Sequence, residues 1–165
     1  MADAVESNLD HVDHLINANN FDELRKILEN NDGWQNWRFT KKIDVSFWTK
    51  NLESEIALAD LSILHLAIIE QRYQCARTIL DVAIAQSEDL TDFIHHKIQV
   101  EDDMKAEDFL WMIDAKAVHL SAMFDEKTLA DLVRMYPDLK DDQDNRTEFS
   151  PLHVAAMQRK ATFTR

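Results

Sequence analysis

Histidine, cysteine and carboxylate side chains are what this chain offers for metal binding or catalysis. His11 and His14 stand three apart, and Asp92 stands three before His95 in the pair His95-His96. That spacing puts two ligands on one helix face and could begin a metal site, yet a closed site needs three or four ligands. The sequence supplies no third donor to either pair. His65, His119 and His153 invite a catalytic or metal-ligating reading. Each sits in an apolar stretch, so its ring is expected buried and hydrogen-bonded to nearby backbone, because an unbonded buried imidazole is costly. Cys75 falls on an inward apolar stripe and reads as a buried, inert thiol. Acidic runs at Glu101-Asp102-Asp103, Glu107-Asp108 and Asp141-Asp142 with Asp144 read as solvated surface, or as attraction for a basic partner. The expectation is no catalytic residue, no metal and no cofactor: the chain is not read as an enzyme.

Composition narrows the classes further. Gly33 is the one glycine among 165 residues. Glycine-rich phosphate loops, dinucleotide fingerprints and the nucleophile elbow all need backbone conformations that glycine supplies, so they are excluded. Two prolines and so few glycines also argue against an all-β chain full of tight turns. A formal net charge of −13 disfavours nucleic acid and anionic membranes as partners. The first twenty residues lack the basic start and apolar run of a secretory signal, and no stretch approaches the roughly 18 apolar residues of a membrane span. A lone cysteine adds the expectation of a reducing, cytoplasmic setting, with the nucleus as the alternative. Asn145-Arg146-Thr147 matches a glycosylation sequon, which without secretion reads as chance.

The elements that would position these residues follow from a recurring pattern. Asp13-His14-Leu15, Leu64-His65-Leu66-Ala67, Val118-His119-Leu120-Ser121-Ala122 and Leu152-His153-Val154-Ala155-Ala156 place a histidine in nearly one setting. Residues 150 to 156 read Ser-Pro-Leu-His-Val-Ala-Ala. This resembles the Thr-Pro-Leu-His-x-Ala signature of the ankyrin repeat, a unit of about 33 residues built from a turn and two antiparallel helices. His119 and His153 are about one such unit apart. At matching offsets after each histidine come Leu24, Arg25, Ile27 and Leu28, then Cys75, Ala76, Thr78 and Ile79, then Leu129, Ala130, Leu132 and Val133. Apolar residues so spaced form the buried stripe of a second helix. The glycine that ends the first helix in the family's pattern is replaced by Asn20, Gln71, Asp125 and Arg159, and Thr-Pro is lost from the first three units. A different helical-hairpin repeat is the alternative reading.

The resemblance implies one domain over 1–165, with units at about 8–30, 61–82, 115–139 and a shortened one at 149–165. Two insertions, at about 31–60 and 83–114, exceed the repeat period by about 18 and about 21 residues and would emerge on one edge of the array. The expected fold class is therefore all-α: an ankyrin-like helical-hairpin solenoid with two helical insertions. Within the first insertion, Ile43, Val45 and Phe47 alternate as a short strand would, and Asn51 could cap a helix holding Leu52, Ile56 and Ala59. In the second, Ser87 caps a helix with Leu90, Phe93, Ile94 and Ile98, and Phe109 to Ile113 suggest another. The last unit stops before a second helix, which reads as a fragment of a longer repeat protein.

As with the family it resembles, the expected function is a protein-protein interaction scaffold. Two rival readings are an autonomous inhibitor that masks a basic partner protein and the cytosolic repeat region of a channel or multidomain enzyme. Trp34, Trp37 and Trp48 are the candidate partner-binding residues, because tryptophan is enriched in binding hot spots. The alternative is that they pack the insertion onto the stack, with Trp34 the exposed exception. His65, His119 and His153 are assigned a structural role, and the oligomeric state is left open.

Overall fold

In a computed structural model, residues 2–44, 55–87, 89–101, 112–145 and 147–156 are described. The chain runs through α1 (Ala2–Asn17), α2 (Phe21–Glu29), a 3₁₀ turn (Trp34–Asn36), β1 (Phe39–Asp44), β2 (Glu55–Leu61), α3 (Ile63–Ile69) and α4 (Tyr73–Gln86). It continues through α5 (Thr91–Ile94), β3 (Gln99–Val100), α6 (Ala117–Phe124), α7 (Glu126–Met135), a second 3₁₀ turn (Pro137–Asp141) and a helical turn over 151–156.

Three helical hairpins, α1–α2, α3–α4 and α6–α7, lie side by side. The first helices pack in one row, α1 on α3 and α3 on α6, and the second helices in another, α2 on α4 and α4 on α7. Burial follows position in the row. In α4, flanked on both sides, Cys75, Ala76, Thr78 and Ile79 are all buried. In α7 Leu132 is buried, Leu129 and Val133 are half-buried, and Ala130 is exposed.

The hairpins are closed by local backbone bonds. Asn19 and Gln71 take left-handed backbone at φ 54 and φ 61. Around them the amides of Asn20 and Arg72 reach back to the carbonyls of Leu15 and Ala67, and those of Asn19 and Gln71 to Ile16 and Ile68. This is the Schellman arrangement that satisfies the orphan carbonyls of a helix end. The left-handed residue in the first hairpin is thus Asn19 rather than Asn20, which instead caps α2 by accepting from the Glu23 amide. Asp125 has an extended φ of −152, and its carboxylate caps α7 through the Thr128 amide at 3.2 Å and hydroxyl at 2.7 Å. Gly33, at φ −95, occupies a conformation open to any residue.

The expected all-α solenoid with two helical insertions is overturned by a three-stranded antiparallel sheet, ordered β1-β2-β3, which makes the fold mixed α and β. Ile43 pairs with Ile56, Lys41 with Leu58, and Phe39 with Leu61, while Leu58 and Ala59 pair with Val100 and Gln99. Two strands come from the first inserted segment and one from the second. The helix expected through Ile56 and Ala59 is β2, because Ile56, Leu58 and Leu61 turn inward onto the core. An extra residue hides that alternation: Asp60 takes φ 57, and the register slips between Phe39 and Lys41, as at a β-bulge. In the second segment the helix is confined to Thr91–Ile94, with Ile98 outside it. Val45, Phe47, Asn51, Leu52, Phe109 and Leu110 lie outside the described residues.

Candidate partner-binding surface

The three repeat histidines begin helices in one way. His65 is the third residue of α3 and His119 the third of α6. In each case Nδ1 accepts the amide of the residue that precedes the helix: Ser62 to His65 at 3.0 Å, Lys116 to His119 at 3.1 Å, and Ser150 to His153 at 3.1 Å. Where Ser62 and Ser150 stand, the hydroxyl oxygen in turn accepts from the histidine amide. Accepting at Nδ1 leaves the proton on Nε2. His119 donates it to the Asp142 carbonyl at 2.7 Å. Among the described residues the His65 Nε2 makes no hydrogen bond of ordinary geometry, although the His96 backbone lies near enough to favour its proton weakly. The His65 ring tilts against that of His96 with centroids 5.7 Å apart. Burial, with the charges of His96 and Arg38 adding to it, pushes the His65 imidazole down to about 3. Burial also lowers His119. His14 departs from the pattern, since it is exposed in the last turn of α1.

Ahead of α6 stands Lys116, at the position of Ser62 and Ser150. Its buried ammonium lies 3.0 Å from both His95 Nδ1 and Asp142 Oδ2 and 3.2 Å from Asp144 Oδ2. Lys97 reaches Asp144 at 2.7 Å. Against the upward push of burial, the Asp144 amide and the Lys116 ammonium hold the Asp142 carboxyl below the usual range. Lys97 and Lys116 do the same for Asp144. This cluster clasps the segment after the second 3₁₀ turn to the start of α6 and to the second inserted segment. The acidic run Asp141-Asp142 with Asp144 is therefore in part an internal ion network.

The indoles divide. Trp34 is fully buried, donates Nε1–H to Gln86 Oε1 at 2.8 Å and meets the Phe93 ring edge-on at 5.5 Å. It is not the exposed exception, and a partner cannot reach it. The turn at Trp34–Asn36 drives the ring inward, so its place just after Gly33 says nothing of exposure. Trp37 is half-buried against the core, and Trp48 lies outside the described residues. Cys75 is buried, with its thiol pushed up to about 11 by burial. Asn145 is buried and uses its side chain on Thr147 and Phe149, so the sequon asparagine is engaged inside the protein. Among the described residues no three His, Cys, Asp or Glu side chains converge as metal ligands, and no helix is long and apolar enough to cross a membrane.

An apolar groove of roughly 650 Å³ runs between α7 and residues 151–156. Leu129 and Val133 form one wall, Pro151, Leu152, Ala155 and Ala156 the other, with Glu126, Lys140 and Asp141 at its borders. Leu152 is 76% exposed. No family model, curated protein or solved structure matches this chain. The groove's chemistry must therefore be read from its own residues.

Those residues were visible in the sequence in a different role. Leu129 and Val133 belong to the stripe expected to be covered, and Leu152 to the Ser-Pro-Leu-His motif. What sequence spacing could not show is that nothing described lies across the outer face of α7. The clasp at Lys116 joins residues far apart in the chain. Its only sequence signal is a lysine standing where the other two units have serine, paired with the acidic run beyond α7.

Proposed function

We propose that this chain is a protein-protein interaction module of the ankyrin repeat kind, engaging its partner at the groove between α7 and residues 151–156. The groove carries the reading. An apolar channel with a leucine largely in water is what a contact surface offers, since exposed apolar patches mark binding sites. The ankyrin kinship is supported by the three helical hairpins and by the same Nδ1 bond at His65, His119 and His153. A binding rather than catalytic role is supported by the repeat histidines, whose Nδ1 atoms are all engaged by backbone, and by the protonated thiol of Cys75. The net charge of −13 supports a protein partner over nucleic acid, and the buried single cysteine a reducing, cytoplasmic setting.

Photo-crosslinking tests this directly. A benzophenone side chain at position 152 should yield a discrete protein adduct in extract. The same group at Ile84, also exposed but on α4, should not. Val133→Asp should abolish the adduct. Equal labelling from positions 152 and 84 would retire the groove as the contact surface.

A further inference from the structure

We infer that the chain's own residues 157–165 close one end of this groove, seating Phe163 against Leu129 and leaving the Val133–Leu152 end to a partner. The inference rests on the repeat reading, and it bounds the contact surface proposed above. Burial along the row of second helices carries it. At one offset after His14, His65 and His119 stand Leu24 in α2, Cys75 in α4 and Leu129 in α7. Leu24 and Cys75 are fully buried, and each has a further second helix beside it in the row, α4 for the one and α7 for the other. Leu129 has none among the described residues and is only half-buried. Counted from His153, the same offset falls on Phe163. Equal offsets meet across neighbouring helices: Arg77 and Asp131, a little further along α4 and α7, pair at 3.4 Å. An aromatic ring is thus carried to the place where an apolar contact is missing.

The segment also starts in the right place. Ala156 lines the groove, and residue 157 follows it directly. In the preceding hairpin, Met123 to Asp131 hold the corresponding positions: the end of α6, the joint at Asp125 and the opening of α7. Residues 157–165 therefore span a joint and the opening of a second helix. Tethering a group to the wall of its own site gives it a roughly millimolar local concentration, so one seated ring suffices. Because a hairpin doubles back at its joint, Ala155 and Ala156 lie toward Leu129, and Leu152 lies toward Val133. The exposed Leu152 stays outside the closed end.

Thiol labelling of the full chain tests this, since the parent's one cysteine, Cys75, is buried and silent. In Leu129→Cys the new thiol should react with a maleimide at least tenfold faster once Phe163→Asp is added. Phe163→Leu should keep the protection, because leucine holds the same place in α2 and α7. In Val133→Cys, Phe163→Asp should change the rate less than twofold. Circular dichroism should match across all these variants. Equal rates in Leu129→Cys with and without Phe163→Asp overturn the inference. Protection that fades on dilution gives the site to a second copy and overturns it too. Equal acceleration at positions 129 and 133 overturns the division of the groove into two ends. The two readings fail separately: protection at 129 without an adduct from position 152 ends the partner reading alone, and an adduct without protection ends this one.

Discussion

The α3–α4 and α6–α7 hairpins place the same histidine at the same helical position and treat its outer nitrogen differently. Both rings accept at Nδ1 from the residue before the helix. The His119 Nε2 then finds the Asp142 carbonyl, delivered by the 3₁₀ turn that follows α7. After α4 the chain instead enters α5 and β3, and the ring of His96 comes to rest beside His65. The local motif fixes one nitrogen; the next stretch of chain decides the other. The surroundings differ accordingly. The first inserted segment is bound to α4 by an apolar seam through Trp34, Phe93 and Gln86, while the start of α6 is held by the ionic clasp at Lys116.

The seam offers the largest break. Trp34→Ala should cost about 3 to 5 kcal/mol in urea unfolding, because the cavity cannot refill. A loss under about 1 kcal/mol would mean that this indole does not hold the segment to α4.

Acid separates the two histidines next. The unfolded His65 takes a proton below its ordinary 6.5, but the folded ring does so only near 3. The unfolded chain therefore binds more protons between those values, and stability present above 6.5 is lost as the pH falls toward 3. The loss due to His65 should reach on the order of 2 kcal/mol by pH 4.5. Unfolding free energies from pH 7 to 4.5 should show His65→Leu flattening this slope. An unchanged slope in that variant would place the acid sensitivity elsewhere.

Alanine at each histidine sharpens the contrast at neutral pH. His119→Ala strands the Lys116 amide and the Asp142 carbonyl and should cost about 1 to 3 kcal/mol. His65→Ala strands the Ser62 amide and frees a Ser62 hydroxyl that still accepts from the amide at position 65, but leaves no carbonyl unpaired, and should cost about 1 kcal/mol less. Equal losses in chemical denaturation would show that the Nε2 bond contributes nothing.

The smallest effects differ in sign. Gln71→Gly relieves a left-handed side chain and should stabilise by roughly 0.5 kcal/mol. Asp125→Gly loosens an extended residue and removes a cap, so it should destabilise by a few tenths to about 1 kcal/mol. Melting temperatures shifting the same way for both would erase the distinction between the two joints.

The helical hairpins and their joints were legible because their signals are local. The turn at Gln71 takes the left-handed backbone of the family's glycine position even though glutamine tolerates it poorly, and the histidine bonds span three residues. Asn19 in place of Asn20 is an ambiguity of one position between two residues that tolerate the same backbone. The strand β2 was hidden because Ile56 and Ala59 also fit a helical period, and the bulge at Asp60 breaks the alternation that would have betrayed it. The burial of Trp34 depends on Gln86 and Phe93, more than fifty residues on, and the groove depends on what does not cover α7. Neither is written in spacing.

The sheet also carries a consequence for how the molecule assembles. β1 and β2 are near neighbours in sequence, but β3 reaches β2 only after α3, α4 and α5 have been traversed. Closing that longer loop costs chain entropy before the pairing of β3 with β2 can repay it. The third strand is thus added to a structure already formed, and it is the first part of the sheet to detach. Amides that depend on β3 will exchange with solvent through a small local opening, on a faster clock than the helices beneath them.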